Sequence, residues 1–435
     1  MKFKRYFLLV VLWLVLPHQA KAQTLYFPPT SGATWDTISP IALGWCPDKI
    51  DTLTQFLLDK NTKAFIVLKD GKIAIEKYFG TFTQDSIWYW ASAGKSLTAF
   101  LTGVAQEEGI LNTTDTVSNY LGAGWTSCPT PDEEKIRIID QLSMTSGFDD
   151  LVPDPDCTDP ACLNCIAPSG TRWAYHNAPY HLLHDVIETA SGTNWNQYTF
   201  SKLTFQTGIS GAWVDHVFYS KARTMARFGL LVQAQGSWDN TVILGDTTYF
   251  NQMLNTSQSF NPSYGYLWWL NGKGSYMLPG LQAIFPGDLI PNAPADMVAA
   301  LGKNDQKVYV VPSLGLTVIR MGDSAGAPLF ALSSFDNELW GKLNAIFCTT
   351  SMFENITAAT VSIYPIPAKN MLYIKNTKSN PISHITIRNS LGQICMSINS
   401  PISSIDISTL KSGVYTCQIF IDSDVKPEVR KLIVE

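Results

Sequence analysis

Four residues carry the densest chemical signal in this chain: Ser92-Ala93-Gly94-Lys95. They follow the aromatic run Trp88-Tyr89-Trp90 and open an apolar stretch, Ser96-Leu97-Thr98-Ala99-Phe100-Leu101, that predicts a helix over 92–108 closed by Gly109. On a helix, positions three apart share a face, so an amine at 95 stands beside a hydroxyl at 92. A serine hydroxyl is a weak nucleophile until a neighbouring base takes its proton. A desolvated lysine supplies such a base, because burial disfavours its charged form. The plainer reading is a helix start followed by a solvated lysine. A phosphate loop is excluded: Tyr89 stands where Gly94-Lys95-Ser96 needs a glycine five positions upstream.

Two further groups could complete a site. Tyr175-His176-Asn177 sits in a turn before a helix expected from Pro179. A phenol near an ammonium ionises more readily and can relay protons, and an amide can orient a lysine or a substrate carbonyl. The plain alternative is an Asx turn with a half-buried tyrosine. Downstream, Gly302-Lys303-Asn304-Asp305-Gln306 leads into a strand expected over Lys307–Val311. A cation there can hold a substrate anion, and a following backbone N–H can stabilise an oxyanion; a surface lysine before a strand is equally commonplace.

The elements that must position these groups alternate in type. Residues 47–60 have an amphipathic helix pattern, and Ala64–Leu68 and Ile73–Tyr78 read as strands around an Asp70-Gly71 turn. Lys307–Val311 and Leu316–Arg320 form a second hairpin, with a helix at 331–347. Strands at both ends of a mostly helical middle predict an α+β fold, an antiparallel sheet flanked by helices plus a helical subdomain. If the first and last helices pack together on that sheet, Cys46 and Cys348 pair. After about residue 357 the composition changes: all 13 tryptophans lie at or before Trp340, and short Ile/Val/Thr strands follow at 361–364, 371–374, 384–387, 415–419 and 432–434. They predict a small all-β sandwich over 358–435, which Cys395 and Cys417 could staple.

The chain has 435 residues and a net charge of −5, which speaks against a nucleic-acid partner. Lys2, Lys4 and Arg5, an apolar run at 6–16 and Ala20-Lys21-Ala22 read as a signal peptide over 1–22, with no spanning segment expected in the mature form. The 8 cysteines suit the oxidising compartment this implies. Cys157, Cys162 and Cys165 lie close together, and disulfides are favoured over zinc because no matched second pair follows.

Taken in order, S-x-x-K, Y-x-N and a basic residue before a late strand resemble the serine β-lactamase and penicillin-recognising superfamily. The similarity covers roughly 40–348 and is nearest to its class C-like β-lactamase-related hydrolases. Gln141-Leu142-Ser143-Met144-Thr145-Ser146-Gly147, Tyr264-Gly265-Tyr266-Leu267-Trp268-Trp269 and Tyr309-Val310-Val311-Pro312 support it. The resemblance implies a hydrolase domain over 23–350 with Ser92 as nucleophile, Lys95 as its activator and Tyr175 as proton relay to the leaving group. It gives Asn177 to the orientation of Lys95 and the substrate amide. Lys303 takes the place of the third motif's basic residue, and the oxyanion hole falls to the N–H of Ser92 and one near Gln306. Asp305 replaces the family's usual glycine, adding bulk and negative charge that disfavour a carboxylate-bearing substrate. The tail phrases Tyr364-Pro365-Ile366-Pro367, Leu391-Gly392-Gln393, Ile405-Asp406-Ile407-Ser408 and Leu410-Lys411-Ser412-Gly413-Val414-Tyr415 resemble a type IX secretion sorting domain. They imply passage across the outer membrane by that machinery, to the cell surface or beyond.

The expectation is a secreted serine hydrolase acting on an ester or amide of a small molecule or peptide, without cofactor or metal. The alternatives are a β-lactamase or D-alanyl-D-alanine peptidase, and a non-catalytic binding protein on the same fold. His176, His181 and His184 lack the carboxylate set a zinc site needs. The acidic loop from Asp149-Asp150 through Asp154, Asp156 and Asp159 lacks the glycine and glutamate of a calcium loop. Trp88, Trp90, Trp173, Trp268 and Trp269 either line an acyl pocket or belong to the core.

Overall fold

The computed structural model describes residues 25–326, 332–347, 361–376, 381–389, 393–399, 403–421 and 428–435. The expected leader and Cys348, one half of the expected Cys46–Cys348 pair, lie outside the described residues. The chain divides into two compact units, 1–348 and 349–435, each with its own apolar core.

The first unit is built on a six-stranded sheet. Its order is Lys72–Tyr78, Thr62–Lys69, Leu316–Gly322, Gln306–Val311, Val298–Gly302 and Trp269–Leu270, every pairing antiparallel. The chain therefore starts and finishes the sheet at neighbouring central strands, with Val67 opposite Val318 and Val318 opposite Tyr309. The strands Gln306–Val311 and Leu316–Gly322 are buried at every position. Because successive side chains alternate faces, an unbroken buried run requires cover on both. Helix Ala222–Gln233 supplies one cover, packed so closely that a Cβ on Gly229 would meet Thr317 and Val308. Helices Pro47–Asp59 and Ser334–Ile346, which pack on each other, supply the other, reached by Lys307 and Tyr309 through Asp336 and Trp340. The N–H of Cys46 donates to Ile346 O at 2.8 Å, so the two helices meet as expected.

The helix carrying the S-x-x-K runs over Gly94–Glu107 and packs against helix Asn177–Ser191 in the helical middle of the unit. Nearly all of it is buried, up to Ala105. Two disulfides, Cys128–Cys165 and Cys157–Cys162, pin the loop that precedes Tyr175.

In the second unit, Val361–Tyr364, Met371–Asn376 and Ser404–Asp406 form one antiparallel sheet. Ile394–Ile398, Ile382–Arg388, Gly413–Ile421 and Glu428–Val434 form another. Alternate apolar residues, among them Leu372, Ile385, Ile387 and Ile419, make its core. The expected Cys395–Cys417 staple is absent: both are free thiols, Cys395 exposed and Cys417 buried. Strand Ile382–Arg388 lies between their strands. Two strand spacings are about 9–10 Å, beyond the Cα separation of up to roughly 7 Å that a disulfide tolerates.

Candidate active site

The serine sits on a strained entry to its helix. A single 3₁₀ turn, Ala91–Ala93, precedes Gly94, and Ala91 takes a left-handed φ of 47°. Left-handed backbone at a residue with a Cβ costs on the order of 1 kcal/mol or more and persists only where surrounding structure imposes it. Here Trp90 imposes it: the residue is fully buried, its N–H donates to Phe218 O (2.8 Å) and its indole N–H to Ser220 Oγ (2.8 Å). On the other side the end of strand Val298–Gly302 presses on the turn. A Cβ on Gly302 would lie 2.4 Å from Trp90 O and 3.0 Å from Ala93 N, so only glycine fits. The neighbouring Ser96 donates to Leu267 O (2.7 Å), tying the Tyr264–Trp269 segment to the same helix.

Lys95 Nζ donates to Ser92 Oγ at 3.0 Å. Ser92 is half-buried, whereas Lys95 is only 3% exposed. Burial pulls the ammonium down to about 7, against an opposing pull from the Asp156 carboxylate. The amine lies 4.4 Å from the Tyr180 ring centre and 5.3 Å from that of Tyr175, so aromatic faces supply much of its surroundings. Close to neutrality, an amine so placed is available in its basic form.

Tyr175 stands beside Lys95, its ring backed by the stacked ring of Trp269 (5.8 Å between centres). Burial pushes its phenol up to about 12, an effect the Ser92 side chain only partly offsets. The sequence-based expectation of an easily ionised phenol is thus corrected: desolvation outweighs any help from Lys95. At neutral pH Tyr175 is a proton donor. Asn177 opens the next helix, but its amide donates to Asp156 Oδ1 (2.8 Å) rather than to Lys95.

The third group occupies a tight turn, with Gly302 opposite Gln306 in the ladder. Asn304 and Asp305 both take left-handed φ, 58° and 59°, residue types that tolerate it better than most. Lys303 is exposed on this turn, and Asn304 Nδ2 donates to the Tyr89 hydroxyl (2.7 Å), linking the turn to the residues ahead of Ser92. Gln306 is fully buried. Its amide donates to Asn304 O (2.9 Å) and Gly322 O (2.6 Å) and accepts from Gly322 N (3.1 Å). Its side chain therefore builds the turn, leaving only backbone groups there to serve as oxyanion donors.

Asp305 departs from expectation. Its carboxylate faces inward, accepting from Ser333 Oγ (2.6 Å) and Ala325 N (3.0 Å), with Lys307 Nζ at 3.2 Å. Burial alone would raise it, but Lys307, these hydrogen bonds and Arg320 hold it below the usual carboxylate range. The negative charge is thus paired inside the fold rather than presented on the exposed side of the turn.

Residues 59–328 match the Beta-lactamase family, more than half of the chain. The chain belongs to the Beta-lactamase family. Residues 362–435 match the Secretion system C-terminal sorting domain. The structure is similar to a putative 6-aminohexanoate-dimer hydrolase from Bacillus anthracis, with TM-score 0.55 and 17% identity, covering 73% of this chain and 88% of that one. It is equally similar to a putative beta-lactamase from Bacteroides dorei, with TM-score 0.55 and 17% identity over 70% and 99% of the two chains. An uncharacterized protein of Alkalihalophilus pseudofirmus is 22% identical over 63% of this chain and 88% of its own length. At such identities the structural likenesses establish the fold.

Sequence reasoning missed two residues that this Beta-lactamase-family domain places beside Lys95. Tyr180 lies one helical turn beyond Asn177, a spacing that could have signalled it. Asp156, in sequence one carboxylate of an acidic loop, arrives through the disulfide-pinned segment, which no local pattern announces. The histidines also regroup: His181 and His184 join His216, whose ring stacks on His181 (4.1 Å) and whose Nδ1 lies 3.1 Å from that of His184. Burial drives His181 down to about 3 and His184 well below its ordinary value, so both are neutral. The tryptophans at 90, 173, 268 and 269 are core, and Trp88 is partly buried against it.

Proposed function

We propose that this protein is an exported serine hydrolase that cleaves an ester or amide through an acyl-enzyme on Ser92. The observation that carries the reading is the buried Lys95 amine, 3.0 Å from Ser92 Oγ and depressed to about 7. The neutral amine takes the hydroxyl proton as Oγ attacks the carbonyl carbon. The oxyanion rests on the N–H of Ser92 and a backbone N–H of the 302–306 segment that Gly302 holds against the serine turn. Tyr175, a neutral phenol whose ring centre lies 5.3 Å from Lys95 Nζ, passes its proton to the leaving group as the C–O or C–N bond breaks and is reprotonated by the Lys95 ammonium, which returns to the neutral amine. Water, activated by Lys95, then attacks the acyl carbon, freeing the acid and restoring the serine. Lys303, exposed on the turn, is the group that would meet an anionic substituent, while Asn177 holds Asp156, whose carboxylate acts on Lys95 through its charge.

The export half of the reading rests on the sorting domain, which implies the secretion machinery as a partner and a secreted or surface location. A signal peptide over 1–22 and catalytic and tail domains over 23–350 and 358–435 complete the proposed organisation.

A fluorophosphonate probe should label the purified protein stoichiometrically and Ser92→Ala not at all; equal labelling of both sinks the enzyme. Turnover of nitrocefin against p-nitrophenyl esters then separates a β-lactamase from an esterase. A protein that binds these compounds with no turnover is the inert alternative.

A further inference from the structure

A cavity of about 420 Å³ lies apart from Ser92, Lys95 and Tyr175. The N-terminal arm 30–35, Gly208, Ser210 and the start of helix Ala222–Gln233 form its walls, with Gln84 and Asp85 at one side. Three cations line it, and two are matched. Arg223 forms a bidentate pair with Glu76, both contacts at 2.7 Å, and Lys221 meets Asp85 at 2.6 Å.

Arg227 is not matched. It is 6% exposed, and no carboxylate lies within ion-pair distance of it among the described residues. Its guanidinium donates to Thr207 O (2.8 Å) and Pro29 O (2.7 Å) and lies near the indoles of Trp35 (5.1 Å) and Trp238 (5.4 Å). Burial, with Arg223 nearby, lowers it to about 10, so it stays a cation at neutral pH. A buried cation lacking a counter-charge is costly, and a guanidinium has five N–H donors, more than two carbonyls satisfy. The helix adds to the imbalance: its first turn holds no acidic residue, and its own dipole is positive at that end. Gly208 keeps the arrangement open. A Cβ there would lie 3.0 Å from Arg227 Nη1 and 2.4 Å from Thr30 O.

We infer that this cavity binds a small organic anion, a carboxylate or phosphate ester, with Arg227 as its counter-cation. The volume exceeds that of a bare ion and falls in the range of small-molecule sites, roughly 300–1,000 Å³. The hydroxyls of Ser31, Thr34 and Thr224 suit the polar body of such a ligand, and the Trp35 indole gives it an apolar face.

Calorimetry on the full chain, followed in parallel by tryptophan fluorescence, tests this with glucuronate, glucose 6-phosphate, inorganic phosphate and neutral glucose. Saturable binding of glucuronate or glucose 6-phosphate, with none for glucose, is expected; which one binds identifies the oxyanion. Arg227→Gln should weaken binding at least tenfold while ester turnover at Ser92 is unchanged. Because Arg227 is buried, the rim variant Lys221→Glu is the second probe, expected to fold normally and weaken binding several-fold. Failure of both organic anions to bind overturns the inference. So does binding of inorganic phosphate alone, or affinity indifferent to both variants; Arg223 and Arg227 then serve only to strap the arm through Ala33 O and Pro29 O.

Discussion

At the scale of the residue, the question is which groups can exchange a proton with Ser92 near neutral pH. Lys95, pulled to about 7 by burial, loses its proton as pH rises through that value, and only the neutral form accepts from the serine. Turnover per unit substrate should therefore climb about tenfold per pH unit below 7 and level off above it. A profile that stays flat from pH 5 to 8 removes Lys95 from the base role. Asp156 raises the lysine against the larger effect of burial, so Asp156→Asn lowers the amine further and should move the rising limb to lower pH. An unmoved limb in that variant would show that the carboxylate is screened from the amine. Tyr175, pushed up to about 12, stays protonated across this range, so the alkaline side should show no phenol titration until far above neutrality. Tyr175→Phe keeps the ring against Trp269 while deleting the donor. Its loss should fall on kcat, by about 10²–10⁴-fold, and should shrink for esters with good leaving groups, which need little protonation.

At the scale of the element, the site depends on two closely fitted turns. Gly302→Ala places a methyl 2.4 Å from Trp90 O, and because both sides are backbone, the strand end or the serine turn must move. A displacement of about 1 Å can cost on the order of 10²-fold in rate. The expected result is a folded protein with that loss in kcat/KM; a folded Gly302→Ala with full activity shows that the strand end does not position Ser92. This scale also marks what the sequence makes legible. The Asp70-Gly71 hairpin, the helix from the S-x-x-K and the paired late strands follow from local periodicity and turn chemistry, which short segments carry by themselves. The direction of Asn177 toward Asp156, the arrival of His216 among the other histidines and the inward carboxylate of Asp305 do not. Each depends on a loop or a buried ion network assembled from segments distant in the chain. Asp305 shows the difference best: its identity suggests a charged rim, but Lys307, Ser333 and the Ala325 N–H claim it for the interior. The tail cysteines teach the same lesson, because their pairing turns on strand order, which the alternation pattern does not specify.

At the scale of the whole molecule, the proposed catalytic site and the matched sorting domain fall in separate units. Every residue placed near Ser92 lies before residue 348, and each unit closes its own apolar core. Secretion by a C-terminal signal requires the tail as a folded address, whereas acyl transfer requires only the first unit's sheet and helices. Removing 358–435 should therefore leave kcat and KM toward an ester substrate unchanged in the purified protein, since no proposed catalytic group is lost. The same deletion in the native host should abolish surface or extracellular activity and trap active hydrolase in the periplasm, recoverable on lysis. Export that continues without the tail would show that the matched sorting domain is not the address. Activity lost from a folded, truncated protein would show instead that the second unit contributes to the site, and the division of labour between the two cores would have to be abandoned.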